Sequence, residues 1–225
     1  MLTKQLHYKL FLFRNTTDDM KYIIIGMHSS GKQEVVDILE NYGVHCGRLF
    51  TNLQNSAEPN IYNGSNYEQY SSKDIHDVFE NNAYIFMHEF PFGDDISMLN
   101  LVNSAKYYEG LSLYEFENND VFVMSPDQLF SISPSSIKDD ICFIWLDNTK
   151  KERLNRYYAE KRTYSFSNRE DLETKDSNAF VKFLYGFEKG RVLYFTNEDP
   201  ARVASVVYSL IKHPDLLDIY TESYN

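Results

Sequence analysis

The sequence predicts an α/β fold of three layers, with helices on both faces of a parallel sheet. Three observations predict it. Short continuous apolar runs at 21–25 and 141–147, together with RVLYFT at 191–196, read as strands, and the first two are of the kind buried on both faces. Stretches with apolar residues at helical spacing follow them. The alternation of strand and helix implies right-handed crossovers, and so a parallel sheet whose ligand side is the carboxyl ends of its strands.

The chain starts with HYKLFLFRN, whose alternation fits an added edge strand, and residues 1–20 are expected to be an N-terminal extension. Next comes KYIIIGMHSSGKQEVV at 21–36, where Ile23, Ile24 and Ile25 make the strand. Gly26, Gly31 and Lys32 satisfy the first seven positions of the phosphate-binding loop pattern G-x-x-x-x-G-K-[ST]. Glycines allow backbone angles that let successive N–H groups converge on a phosphate, and the helix that follows adds its own unpaired N–H groups and the positive end of its dipole. Lys32 would reach the β/γ-phosphates. The eighth position carries Gln33 in place of a hydroxyl that would bind Mg²⁺. The bland alternative is a strand-to-helix turn that happens to hold two glycines and a lysine. His28, inside the loop, either touches a phosphate or is a freely varying loop residue.

The first helix is expected over 33–41, ended by Tyr42 and Gly43. Val44 to Cys46 reads as a short strand. GRLFTNLQNSAEPNIYNGSNYEQYSS is rich in turn formers and reads as a mobile, partly stranded excursion. Ser72 to Asn81 is a capped helix with Ile75, Val78 and Phe79 on one face, and Ala83 to Phe90 a strand bearing Glu89. Val121 to Met124 is strongly β-forming, and SPDQLFSI continues as a turn and short helix. Thr149 to Tyr158 opens a helix that runs into the most densely charged part of the chain. Asn178 to Phe187 resumes amphipathic helix, and Pro200 to Ile211 closes the fold with proline in its first turn.

Composition bounds the rest. A length of 225 residues suits one α/β domain with an insertion or a small lid. A net charge of −11 argues against a general nucleic-acid or membrane-surface binder. Cys46 and Cys142 form neither a disulfide framework nor a metal pattern, and the histidines show no ligand spacing, so no metal ligands are expected. No stretch approaches the roughly 20 apolar residues of a membrane span, the start lacks a signal-peptide layout, and a cytoplasmic location is expected. The 18 Tyr and 16 Phe carry no functional assignment.

In this order of pieces the chain resembles the guanylate kinase family and the wider nucleoside monophosphate kinases. The likeness is carried by GMHSSGK, by SNYEQYSSKDIHDVFENNAYIFMHEF, by YYEGLS and by YFTNEDP. It implies a P-loop kinase fold over 21–225, with an acceptor-binding insertion at about 47–116 and an arginine-bearing lid at about 159–178. It implies ATP and Mg²⁺, with a nucleoside monophosphate, GMP or dGMP, as acceptor. Carried over by position, it implies that Gly26, Ser29, Ser30, Gly31, Lys32 and Gln33 hold the ATP phosphates, and that Asn197 lies beside the adenine. Arg48 and Tyr70 would contact the acceptor phosphate, Glu89 the guanine edge, with Ser112 near it. Lys32, Arg162 and Arg169 would supply catalytic charge. Read from the residues alone, Arg162 and Arg169 equally suit a solvated helix face, Glu89 a surface carboxylate, and Tyr70, Tyr107 and Tyr108 packing.

Three departures from the family pattern motivate a second reading. Gln33 replaces the hydroxyl, the excursion supplies only Arg48 where the family has two arginines, and Asp127 is the nearest match to a family aspartate. A catalytically inactive guanylate-kinase-like module with a protein partner in the acceptor cleft fits these. A third reading is a P-loop kinase for another acceptor, such as a modified nucleotide or a base within DNA, against which the charge counts.

Overall fold

The structure, a computed structural model, describes residues 20–52, 67–89, 108–132, 141–160, 166–167, 170, 190–196, 199–217 and 219. The expected extension, the Asn178–Phe187 helix, Arg162, Arg169 and Asn197 lie outside these residues.

Four parallel strands form the central sheet: β1 (Lys21–Gly26), β6 (Val121–Met124), β7 (Ile141–Asp147) and β8 (Gly190–Thr196), in the order β6-β1-β7-β8. Their continuous apolar runs follow from burial on both faces. Tyr22 and Ile24 point into one core with Val35, Val36 and Leu39 of α1 (Lys32–Asn41) and Val203, Val207 and Leu210 of the closing helix (Pro200–Lys212). Ile23 and Ile25 point into the other, with Phe122, Met124, Phe143 and Trp145. The one polar group on Tyr22 is satisfied deep in the first core, its hydroxyl donating to the Leu210 carbonyl at 2.9 Å.

A second, mixed sheet has the order β3-β2-β5-β4, from β2 (Leu49–Thr51), β3 (Tyr67–Gln69), β4 (Tyr84–Glu89) and β5 (Tyr108–Ser112). Only β2 and β3 run parallel; β5 is antiparallel to both β2 and β4. Leu49, Phe86 and Leu111 belong to the second core, so this sheet packs over that face of the parallel one. The helices α2 (Ser72–Glu80), α3 (Leu113–Asn118), α4 (Pro126–Phe130) and α5 (Lys150–Ala159) complete the described architecture, with Pro200–Lys212 as α6.

Two expectations need correction. Val44 to Cys46 is not a strand: only Cys46 makes an isolated bridge, to Val121, and the strand begins at Leu49. Gly47 explains the delay, because it lies against the ring of Phe122, where a Cβ would stand 2.2 Å from a ring carbon. The chain must clear that aromatic before it can pair elsewhere. The cap of α2 is Ser71 rather than Ser72. Its hydroxyl accepts from Asp74 N–H at 3.2 Å, while the Asp74 carboxylate accepts from Ser71 N–H at 2.9 Å, a reciprocal capping box.

Burial pushes the thiols of Cys46 and Cys142 up to about 12, and neither is in a disulfide, in keeping with inert structural cysteines. No helix among the described residues is long and apolar enough to cross a membrane.

Candidate functional site

The loop from Gly26 to Lys32 leaves the carboxyl end of β1, between β6 and β7, where an open parallel sheet offers its crevice. Gly31 at φ 89° and Ser29 at φ 54° occupy the left-handed region, and the loop curls through them into α1. Glycine is required at both ends of this curl. A Cβ on Gly26 would lie 2.5 Å from the Ser30 hydroxyl and 3.0 Å from the Leu146 carbonyl oxygen, and one on Gly31 would lie 2.9 Å from a guanidinium nitrogen of Arg156. Ser30 is buried, and its hydroxyl has no hydrogen-bond partner among the described residues. Lys32 folds back over the loop, its ammonium donating to the Gly26 carbonyl at 2.5 Å and the Met27 carbonyl at 2.8 Å. A positive charge is thus held against the loop by two of its carbonyls.

The magnesium position does not fit as well. Gln33 runs along the exposed side of α1 and donates through its amide nitrogen to Asp37 at 2.7 Å, one helical turn on. Replacement by serine, Gln33→Ser, removes that tie and restores a short hydroxyl beside the loop. We expect this variant to bind Mg²⁺-ATP more tightly than the parent by about 5-fold or more, an effect of the size a charge-assisted contact gives, measured by titration calorimetry with and without the metal.

Residues that local sequence patterns did not mark surround the loop. Asn148, just past β7, donates to the Ser30 carbonyl at 2.6 Å. Arg153 of α5 is buried and grips both oxygens of Glu170, at 2.6 and 2.7 Å, while its Nε donates to the Asn148 carbonyl at 3.2 Å. The hydrogen bonds from Arg153 hold the Glu170 carboxyl below its ordinary value, against the upward pull of burial. His28 stands edge-on to Phe166, ring centroids 4.4 Å apart, with Nε2 4.0 Å from Glu170. Arg156 pairs with Glu34 across α5 and α1. Of these, His28 had its place inside the loop as a sequence signal, and Asn148 its place at the carboxyl end of a parallel strand.

On the second sheet, Tyr70 stacks on Phe50 with centroids 5.0 Å apart, as the packing alternative expects. Its hydroxyl also meets Ser112; burial and then Glu68 push the phenol up, and that hydrogen bond pulls it down. Ser112 additionally caps α3, accepting from Glu115 N–H at 3.1 Å. Tyr70 and Ser112 are therefore brought together, while each has a structural role that accounts for its presence. Arg48 is exposed, with its backbone N–H bound to Glu115 at 2.9 Å. Glu89 pairs by backbone with Tyr108, and its side chain lies outside the described residues, as does that of Asp127.

The described carboxylate buried on the second sheet is Glu109 of β5, 2% exposed. It accepts from Gln128 of α4 at 3.0 Å and from Tyr67 of β3 at 3.3 Å, while Gln128 also donates to the Tyr67 hydroxyl at 2.7 Å. Gln128 is itself fixed, its oxygen accepting from Ser125 N–H at 2.9 Å. This cluster joins the carboxyl edge of the parallel sheet to the second sheet.

No protein-family model matches the chain. No curated protein matches it. Among solved structures it is similar to a guanylate kinase from Anaplasma phagocytophilum, with 13% identity and a TM-score of 0.51 over 87% of this chain and 85% of that one. The chain therefore has the α/β architecture of that kinase, a parallel central sheet with flanking helices.

Proposed function

We propose that the protein transfers a phosphoryl group from ATP to a nucleoside monophosphate, GMP or dGMP. The observation that carries this reading is the lysine-bearing loop at the carboxyl edge of the parallel sheet, to which Gln128 ties the buried Glu109 of the second sheet. In the reaction an acceptor phosphate oxygen bonds to the γ-phosphorus as the bond to the β-phosphate oxygen breaks, and ADP leaves. Such a transfer asks the protein mainly for alignment, cations and exclusion of water.

Each residue then has a role. The loop Gly26–Lys32 holds the ATP phosphates, with Ser29 and Ser30 in its curve. Lys32 turns from its two carbonyls to the moving phosphoryl group, Arg162 and Arg169 add charge, and Asn197 borders the adenine. Arg48 and Tyr70 meet the acceptor phosphate near Ser112. Glu89, as the resemblance has it, accepts from the amino and imino edge of guanine. Gln33, where the family pattern has the Mg²⁺-binding hydroxyl, is turned to Asp37.

The same turn of Gln33, with Arg153 occupied by Glu170, favours the second reading, an inactive module that binds a protein partner. One assay separates the two: Mg²⁺-ATP with GMP, dGMP, AMP, dTMP, dCMP and UMP in turn, products resolved by chromatography. Selective formation of GDP or dGDP supports the kinase, and the absence of product with every acceptor from folded protein overturns it.

A further inference from the structure

We propose that Glu115, in the first turn of α3, is a positioning residue for Arg48. Its carboxylate holds, from 67 residues along the chain, the backbone on which that arginine stands. The inference rests on the reading of Arg48 as a residue that meets the acceptor phosphate.

Glu115 stands three residues after Ser112, the cap of α3. A glutamate at that place ordinarily returns its carboxylate to the N–H of the cap residue, closing a capping box. The first half of that pattern is made, with the Ser112 hydroxyl accepting from Glu115 N–H at 3.1 Å. The carboxylate, however, crosses to the start of β2 and accepts from Arg48 N–H at 2.9 Å. Helix capping therefore accounts for the backbone of Glu115 and leaves its side chain to a tertiary contact. That side chain is aimed. Asn119, one turn on, donates its amide nitrogen to the Glu115 carbonyl at 3.0 Å and to the same carboxylate oxygen at 3.1 Å. The Asn119 carbonyl accepts in turn from the ammonium of buried Lys21 at 2.9 Å, which anchors the arrangement to β1.

The place that Glu115 fixes lies among the other residues assigned to the acceptor phosphate. In the antiparallel register of β2 with β5, Phe50 faces Gly110, which puts Arg48 across from Ser112. Ser112 meets the Tyr70 hydroxyl, and Tyr70 N–H donates to the Thr51 carbonyl at 2.8 Å. Arg48, Ser112 and Tyr70 thus converge beside the first turn of α3 from three separate pieces of the second sheet. Arg48 is exposed and stands one residue before β2. A long side chain loses conformational freedom when it grips a phosphate, and a backbone fixed beforehand removes part of that cost. The role asks for a hydrogen-bond acceptor rather than for a charge, so a glutamine at 115 should serve it.

The test is steady-state kinetics on the full chain, with Mg²⁺-ATP and the monophosphate that the acceptor panel selects. Glu115→Ala keeps the N–H that caps α3 and loses the carboxylate, whereas Glu115→Gln keeps an oxygen for Arg48 N–H. Glu115→Ala is expected to raise the acceptor KM about 10-fold, the size of one charge-assisted hydrogen bond, and to leave the ATP KM unchanged. Glu115→Gln stays within about 2-fold of wild type. In an Arg48→Ala background, adding Glu115→Ala raises the acceptor KM no further, because the arginine through which Glu115 acts is gone. An unchanged acceptor KM in Glu115→Ala overturns the proposal, as does an equal rise in the ATP KM. So does a Glu115→Gln variant as impaired as Glu115→Ala, or full additivity with Arg48→Ala. Should wild type phosphorylate no monophosphate, the kinase reading falls, and the positioning is decided without substrate by NMR exchange of the Arg48 amide. Exchange about 10-fold faster in Glu115→Ala than in wild type and Glu115→Gln, relative to amides of α6, then supports it, and equal exchange in all three overturns it.

Discussion

Lys32→Ala is expected to lower phosphoryl transfer by about 10²–10³, the range found when one preorganised donor to developing charge is removed. The loss should fall on kcat as well as on kcat/KM, since the ammonium interacts most strongly with the phosphoryl group in flight. Its cost to the fold is small. The two hydrogen bonds to the Gly26 and Met27 carbonyls are lost, but Lys32 is itself only half-buried. At about 0.5–1.5 kcal/mol net for each bond, the thermal midpoint should fall by only a few degrees. Steady-state kinetics and a thermal melt on the same preparation check both halves. Turnover equal to wild type would remove the loop from the active site.

Arg153→Ala is expected to have the largest effect on stability. Here a carboxylate that is 8% exposed loses the guanidinium that satisfies both its oxygens. Breaking a buried pair from one side costs about 3–5 kcal/mol, because the remaining charge stays desolvated. For a chain of this length that corresponds to a midpoint lower by roughly 10 °C. Removing both charges together, as in Arg153→Met with Glu170→Leu, should restore most of it, since an apolar pair of similar volume carries no orphaned charge. A double-mutant cycle by chemical denaturation measures the difference.

The pair also fixes a sign for pH dependence. The folded Glu170 carboxyl lies below its ordinary value, chiefly through the hydrogen bonds from Arg153. Its contribution to stability is thus complete above the ordinary glutamate value of about 4.3 and is lost as pH falls through the lower, folded one. The stability gap between wild type and Glu170→Gln should be constant from neutral pH down to about 5, then close in more acid solution.

Several elements could be read almost residue by residue. Ile141–Asp147 matches the predicted strand, and α1, α5 and α6 begin within a residue of where Lys32, Thr149 and Pro200 place them. These segments carry their own signals: an unbroken apolar run, a cap, a glycine past the last turn. The strand, glycine turn and helix around Gly26–Lys32 were legible for the same reason, since their residues lie within one short stretch.

The second sheet was not legible in that way. AYIFMHEF reads as a strand, but nothing in it says that it joins a second, mixed sheet rather than the parallel one. The carboxylate that stood out was Glu89, on a visible strand. Glu109 was hidden in YYEGLS because its significance comes from Gln128, 19 residues away, and from Tyr67. Arg153 and Glu170 look like any members of a charged run until α5 and residue 170 are brought together against the loop.

By itself, the sequence determined the strands of the parallel sheet and the position of the glycine turn after β1, because hydrophobic periodicity and glycine conformations are local properties of the chain. The tertiary structure alone decided which charges are buried, what each is bound to, and where Gln33 turns. Those depend on desolvation and on hydrogen bonds between residues that only folding makes neighbours.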